Sequence, residues 1–265
     1  MTVQNAWILN IGTEVVMGVV VNTNGSWLAR KLTSIGYRVD RIIVVPDSKN
    51  DVVEEVRRAL SRGVRVLIVT GGLGPTYDDN TASFIAEAIN RRMILNAEAY
   101  KMVSEKYKAM GQEMTPPREK QAWMPEGSIP IPNPVGTAPG FVIEVDRTII
   151  VCLPGVPREM KKMFEDYVEK RLRELSAMRV VDEWLVIEGV EESSIASIIE
   201  AKAKEHPEVY VKTHPTVLEN GGFRIRVQVT AAGRSEEEAK QKALKVALDI
   251  RKALEEAGVK CRTGQ

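Results

Sequence analysis

Apolar residues along the chain come in short dense runs, and these alternate with segments where apolar positions recur every three or four residues. "WILNIG" is followed by "GSWLARKLTSIG", "VDRIIVV" by "NDVVEEVRRALSRG", and "VRVLIVT" by "DNTASFIAEAIN". Dense runs read as strands and the 3.6-residue period reads as helix, so the chain opens as a succession of βα units. Strands that are apolar on nearly every residue are expected where a parallel sheet is covered by helices on both faces. The predicted fold is therefore an α/β, three-layer α/β/α sandwich with a mostly parallel sheet. A helix is expected over residues 97–110. The proline-rich "PEGSIPIPNPVGTAPG" that follows has little periodicity, and loops of that length are usually functional or disordered. "FVIEVDRTIIVCLPG" reads as two strands joined by a tight turn at Asp146 and Arg147, and the next helix should open near Pro157, since proline suits a first turn.

Past residue 175 the pattern changes. "VVDEWLVIEG", "SSIASIIEAKAKE", "VYVKTHP", "FRIRVQVTAAG" and "SEEEAKQKALKVALDIRKALEEAG" read as β-α-β-β-α, and the alternating "RIRVQV" is typical of a sheet with one wet face. Two domains are expected, 1–175 and a small α+β domain over 176–265.

Composition narrows the function classes. With 265 residues and 44% hydrophobic content the chain can bury a substantial core. Its 37 basic and 36 acidic residues leave a formal charge of +1, which gives no general attraction to nucleic acid or to an anionic membrane, so neither partner is expected. The two cysteines, Cys152 in an apolar run and Cys261 near the end, resemble neither a metal pair nor a disulfide framework, which fits a reducing cytoplasm. No run approaches the ~18 apolar residues that span a bilayer, and "AWILNIG" lacks a basic leader and a cleavage site. A cytoplasmic protein is expected.

The candidate chemistry lies in the turns. "TGGLGPTYDD", residues 70–79, leaves the third strand at the sheet edge where ligands of such folds gather. Gly71, Gly72 and Gly74 let backbone N–H groups approach a ligand, and the next helix N-terminus favours an anion, so phosphate is the natural guest. The spacing matches neither G-x-G-x-x-G nor G-x-x-x-x-G-K-[ST]. Asp78 or Asp79 can serve as a helix N-cap. Two carboxylates beside a phosphate-sized nest, with Thr76 close by, also suit Mg²⁺, which takes one or two carboxylates and fills its other positions with water and phosphate oxygen. Asp78 and Asp79 are the metal candidates. "NIGTEVVMG" adds Gly12 and Glu14, the acid either orienting a ribose hydroxyl or a metal-bound water or serving as a first-turn helix acid. Asp47 is either a second metal ligand or base, or the cap of the helix at Asn50. Asn22 and Asn24 bind ligand or cap the helix that carries Trp27. "NPVGTAPG" offers Gly136 and Thr137, and "LPGVPRE" offers Gly155 and Arg158, whose guanidinium would be unhelpful to a helix start unless it meets an anion. Lys120 is a second basic candidate. His206 and His214 are isolated, the four tryptophans fall in apolar contexts, and Met160 and Met163 should fill a packed helix face.

Five ordered stretches, "IGTEVVMGVVVNTN", "VTGGLGPTYDDNT", "REKQAWMPEG", "NPVGTAPGF" and "LPGVPREM", resemble the N-terminal domain of the CinA (competence/damage-inducible) proteins, a branch of the molybdopterin-binding superfamily that also holds the Mog-type and MoaB-type domains. The resemblance covers roughly residues 5 to 170, as expected for one domain of ordinary size. The remainder is similar to the middle domain of full-length CinA, and the nicotinamide-nucleotide amidase domain of bacterial members has no counterpart, so that deamidation is not expected.

The resemblance implies a homo-oligomeric three-layer domain with its pocket at the glycine turns. Its CinA branch implies divalent-metal-dependent hydrolysis of ADP-ribose to AMP and ribose 5-phosphate, with Mg²⁺ or Co²⁺. Its Mog branch implies adenylylation of molybdopterin, and aligns the aspartate of that motif with Asp79 and a second acid with Asp47. Asp47, Asp79 and Lys120 are thus the expected catalytic residues, and a nucleotide diphosphate or a pterin the expected ligand. A non-enzymatic nucleotide-binding module is the third reading. Three positions depart from the family pattern. Arg118-Glu119 stands where Asn-Arg is common, Tyr77 replaces a frequent proline and should alter the wall of the site, and Leu73 replaces the threonine of Mog-type domains, which favours the CinA branch.

Overall fold

The computed structural model of the chain describes residues 3–176, 178–218 and 222–264. It divides into two compact units, one of Thr2–Thr33 with Tyr37–Leu175 and one of Ser176–Gln265 with Ser34–Gly36.

In the first unit the elements run β1 (Gln4–Ile11), α1 (Thr13–Val16), α2 (Thr23–Ser34), β2 (Tyr37–Val45), α3 (Lys49–Ser61), β3 (Val66–Thr70), α4 (Thr81–Ala88), β4 (Met93–Leu95), α5 (Ala97–Ala109), α6 (Pro116–Glu119), β5 (Trp123–Pro125), β6 (Ile129–Ile131), β7 (Gly140–Val145), β8 (Thr148–Leu153), α7 (Pro157–Met163) and α8 (Glu169–Leu175). The main sheet has the order β2-β1-β3-β8-β7-β6, parallel from β2 to β8 and antiparallel at β7 and β6.

Every residue of β3 and β8 is buried, the signature of a strand covered on both faces. Alternate side chains feed opposite cores because strand side chains alternate in direction. Leu9, Leu67, Val69 and Ile150 pack in one cluster with Val52 and Val56 of α3, Ile85 of α4 and Val103 of α5. Ile8, Ile68 and Val151, at the intervening positions, are buried too, as are Leu28 and Leu32 of α2 and Met160 and Met163 of α7. The Trp27 and Phe164 rings meet edge to face at 5.5 Å, and Lys31 pairs with Glu165 and Glu169 at 2.9 and 3.3 Å, which joins α2 to the α7–α8 segment. Each such buried Leu or Ile stabilises the fold by about 1.5–3 kcal/mol. The result is the expected α/β sandwich.

Parallel pairing has one consequence for function: the C-terminal ends of β1, β2, β3 and β8 fall on one edge. Ile11 lies opposite Val45, Asn10 opposite Thr70, and Thr70 opposite Leu153. Four turns therefore start side by side. The proline-rich segment is less irregular than its sequence suggests. It contains β6, which pairs with β7, and it begins on β5, which pairs with β4.

The second unit runs β9 (Arg179–Glu188), α9 (Glu192–Glu205), β10 (Val209–Val217), β11 (Phe223–Gly233), α10 (Glu236–Glu256) and β12 (Cys261–Gly264). Its sheet, ordered β10-β11-β9-β12, is antiparallel throughout. Ile225, Val227 and Val229 of β11 pack against Ile195 and Ile199 of α9 and Val246 and Ile250 of α10, while the intervening Arg224, Arg226 and Gln228 are only partly covered. The unit is thus the expected β-α-β-β-α with one added strand, β12. Ser235 caps α10, its hydroxyl accepting from Glu238 N at 3.1 Å. Among the described residues no helix is long and apolar enough to cross a membrane.

Candidate functional site

A cleft of about 560 Å³ opens at the edge where the parallel strands end. Its floor is built from polar residues that the strands place level with one another. Asn10 and Thr70, both buried, sit opposite on β1 and β3, and Asn10 Nδ2 donates to Thr70 Oγ1 at 2.6 Å. Asn22 Nδ2 donates to Asn10 Oδ1 at 3.0 Å, and Asn22 Oδ1 accepts from Gly25 N at 2.9 Å. That chain of amides ties the start of α2 to the strand ends, so Asn22 acts as a cap. Asn24, two residues further, lines the cleft and donates through Nδ2 to Gly155 O at 2.8 Å.

The glycine turn forms one wall. Gly71 and Gly72 have φ of 104° and 64°, a left-handed conformation that favours glycine. Space enforces the same choice at Gly71, where a Cβ would lie 2.1 Å from Ile11 O. Gly155 packs on Gly71, with its Cβ position 3.3 Å from Gly71 Cα, so the turns after β3 and β8 meet backbone to backbone.

The aspartates do not cap helices. The residue before α4 is Asn80 and the residue before α3 is Ser48, neither making a side-chain cap bond. Asp47 instead crosses to the first turn, its Oδ2 accepting from Thr13 N at 2.8 Å and Thr13 Oγ1 at 2.9 Å. Asp79 Oδ2 accepts from Thr76 N at 2.9 Å, and the Thr76 hydroxyl lies within hydrogen-bond reach of both Asp79 Oδ2 and Asp78 Oδ1. The Thr76 hydroxyl, the backbone N–H of Asp78 and the charge of Lys120 hold the Asp78 carboxyl below the usual carboxylate range. Lys120 Nζ donates to Thr76 O at 2.8 Å, behind the turn.

Of the residues singled out in the sequence, Gly12, Glu14, Asn22, Asn24, Asp47, Gly71, Gly72, Gly74, Thr76, Asp78, Asp79, Thr137 and Gly155 line the cleft. Lys120 borders a smaller neighbouring pocket with Gly74 and Asp79. Arg158 is exposed and stays out of the cleft lining, and Gly136, partly buried, is not in the lining either. Tyr77, at 91% exposure, does not line the cleft, contrary to the expectation that it alters the wall. Arg118 stacks over the Tyr107 ring at 4.5 Å, a structural role. The sequence reading missed Asn10, Thr70, Gln121 and Glu159, all of which face the cleft. Glu159 is held by Asn133, whose Nδ2 donates to Glu159 Oε2 at 2.7 Å.

Charge defines what the cleft can hold. Its lining carries five carboxylates, Glu14, Asp47, Asp78, Asp79 and Glu159, and no Lys, Arg or His. Among the described residues none of the five is in an ion pair. The Thr76 hydroxyl has one proton to give and two carboxylate oxygens to meet, so one oxygen faces a lone pair, an arrangement that a cation relieves. The donor set is all oxygen, as hard divalent cations require. The neighbouring Asp78 and Asp79 therefore fit such a cation, while Asp47, tied to Thr13, joins them in no close three-ligand grouping. The one grouping of three close metal-type side chains among the described residues is Glu205, His206 and Asp249 in the second unit. There Lys202 already bridges Glu205 and Asp249 at 2.8 and 3.1 Å, so an ammonium supplies the positive charge.

A parallel-sheet α/β domain with glycine turns and carboxylates at the strand ends defines a class, and residues 7–174 match the family described as "Probable molybdopterin binding domain". The chain belongs to this molybdopterin-binding-domain family. It is 46% identical over 243 residues to a protein of Pyrobaculum arsenaticum, covering 91% of each chain. It is 43% identical over 254 residues to one of Aeropyrum pernix, covering 96% of this chain and 94% of that one. CinA of Thermoplasma acidophilum shares the fold with a TM-score of 0.60 and 37% identity, over 63% of this chain and 97% of that one. The kinship with CinA expected from the five stretches holds over the first unit.

Proposed function

We propose that the cleft binds a phosphorylated pterin of the molybdopterin class, or a nucleotide, and that the protein is an enzyme acting on its phosphate linkage with the help of a divalent cation. One observation carries this reading: a left-handed glycine nest that offers N–H groups to an anion opens into a cleft whose five carboxylates would repel that anion unless a cation stood between them. Gly72 and Gly74 orient the phosphate through backbone N–H groups, while the Gly71 N–H, expected from the sequence to join them, is spent on Leu153 O at 3.0 Å. Asp47, fixed by Thr13, and Asp79, fixed by Thr76 N, are pre-organised acceptors, and Asp78 stays ionised at neutral pH because its neighbours favour the charge. Mg²⁺ or Co²⁺ at these acids would supply charge neutralisation on the phosphoryl oxygens and a more acidic water.

Family membership supports a pterin ligand. Hydrolysis of ADP-ribose or a similar nucleoside diphosphate compound is a second reading, favoured by Leu73 and by likeness to CinA. The reading includes a homo-oligomer, which sedimentation of the purified chain tests. Calorimetric titration with ADP and GDP, with and without Mg²⁺ or Co²⁺, tests the binding, and release of AMP from ADP-ribose separates the two chemistries. Cation-dependent binding that Asp79→Asn abolishes is the expected result. Binding of equal strength without a cation, or in the Asp79→Asn protein, would contradict it.

A further inference from the structure

Glu159 occupies the third position of α7, where an acid ordinarily turns back to cap its own helix. It does not do so here: the hydrogen bond that the Glu159 carboxylate accepts comes from Asn133 Nδ2. The carboxylate faces the cleft instead, and two upstream residues keep it there. Asn133, itself buried, accepts through Oδ1 from Val135 N at 3.0 Å and Gly136 N at 2.8 Å, which fixes the amide so that Nδ2 must point at Ala138 O and Glu159 Oε2. Gly136 leaves room for the acid, since a Cβ there would lie 2.2 Å from Oε2 and 2.7 Å from Oε1. The acid has no Lys or Arg partner among the described residues and belongs to no three-ligand grouping. It is a half-buried, oriented acceptor with spare lone pairs on both oxygens. Val156, one helical turn before it and 53% exposed, lines the same cleft and offers an apolar surface beside it.

We infer that Glu159 reads the heterocycle of the ligand, accepting the two parallel N–H donors of a 2-amino-4-oxopyrimidine edge, the edge that pterins and guanine share, while Val156 supports the ring. The inference rests on the phosphate-binding reading of the same cleft. A carboxylate meets N–H and NH₂ of that edge with one oxygen each, whereas the adenine edge puts a ring-nitrogen lone pair against it. Adenine is thereby rejected. A good bidentate pair of this kind discriminates by roughly 5- to 150-fold in affinity.

The test is a calorimetric comparison of GDP, IDP, ADP and 6-hydroxymethylpterin diphosphate in the presence of Mg²⁺. The protein should bind GDP or the pterin diphosphate about tenfold or more tighter than ADP. IDP, which lacks the 2-amino group, should fall between, and the tighter of GDP and the pterin names the source of the edge. Glu159→Gln should bring the ADP-to-GDP ratio of dissociation constants to near unity. Asn133→Ala, which frees the carboxylate without removing it, should lower the ratio partway. Equal affinity for GDP, IDP and ADP in the unmodified protein, or an unchanged ratio in Glu159→Gln, would overturn the inference and leave the phosphate reading intact. Failure of every diphosphate to bind would overturn both.

Discussion

The cleft of the first unit and the antiparallel second unit treat charge in opposite ways, although the first unit has ion pairs of its own away from the cleft, such as Lys31 with Glu165 and Arg92 with Glu126. In the antiparallel second unit, acids and bases answer one another: Glu188 takes both Arg224 and Arg262, Asp249 takes Lys202 and His206, Glu238 takes Lys242, and Glu255 takes Arg251. In the cleft of the first unit the carboxylates make no ion pair among the described residues: hydroxyls, an amide and backbone N–H groups meet Asp47, Asp78, Asp79 and Glu159, and Lys120 lends its charge to Asp78 from outside the lining. Paired surface charges stabilise a fold slightly and are complete without a ligand. Unpaired acids gathered at one strand edge are not complete in that sense, and the contrast supports placing the proposed binding site in the first unit.

The largest effect should come from removing a charge on the cleft side of that contrast. Asp79→Asn should lower cation-dependent turnover at least about 100-fold, the loss typical of a key electrostatic group. Circular dichroism of the variant should be unchanged, because Asp79 is only partly buried. Next comes the backbone. Gly71→Ala forces a Cβ against Ile11 O at a φ of 104°, and should destabilise the fold by about 2–4 kcal/mol and weaken phosphate binding with it. Denaturant unfolding measures the first and titration the second.

On the other side of the contrast the effects should be small. Asp249→Asn breaks two partly exposed pairs at once, and its expected stability loss is about 0.5–1 kcal/mol with ligand binding untouched. The His206 hydrogen bond and then Lys202 lower the Asp249 pKa from its ordinary 3.8. A depressed carboxyl stabilises the folded state above the unfolded pKa, and that contribution is lost as pH falls through the lower, folded value. The stability difference between the unmodified protein and the Asp249→Asn variant should therefore be present at pH 7 and fade as pH falls below about 3.8. Thermal melts of both proteins across that range would show it. The smallest response concerns Cys152, whose thiol burial holds well above its ordinary range. It should stay unmodified by a thiol reagent in the native protein while Cys261, only partly covered, reacts slowly.

Much of this was legible in the sequence because two periods, 2 and 3.6, are easily told apart, and because glycines beside acids mark a turn with a purpose. The strands β4, β5 and β6 were not legible. Each spans three residues, and pairing rather than pattern makes them strands. Asn10 and Thr70 left a signal that went unread: a polar residue inside a buried apolar run needs a partner, and each is the other's. Arg158 and Glu159 show the limit most plainly. Neighbours on a helix point about 100° apart, so which one faces a cleft depends on the phase of α7 and on Asn133, 26 residues away. Asp47 and the pair at 78 and 79 had an alternative role as caps. Ser48 and Asn80 hold the cap positions, and the acids turn instead to Thr13 and Thr76.

A crystal structure with GDP and Mn²⁺, located by anomalous scattering, tests the central claim most directly. The account predicts the diphosphate against the N–H groups of Gly72 to Gly74, with the cation between a phosphate oxygen and Asp79. A diphosphate bound away from that turn, or bound there with no cation at the acids, would contradict it.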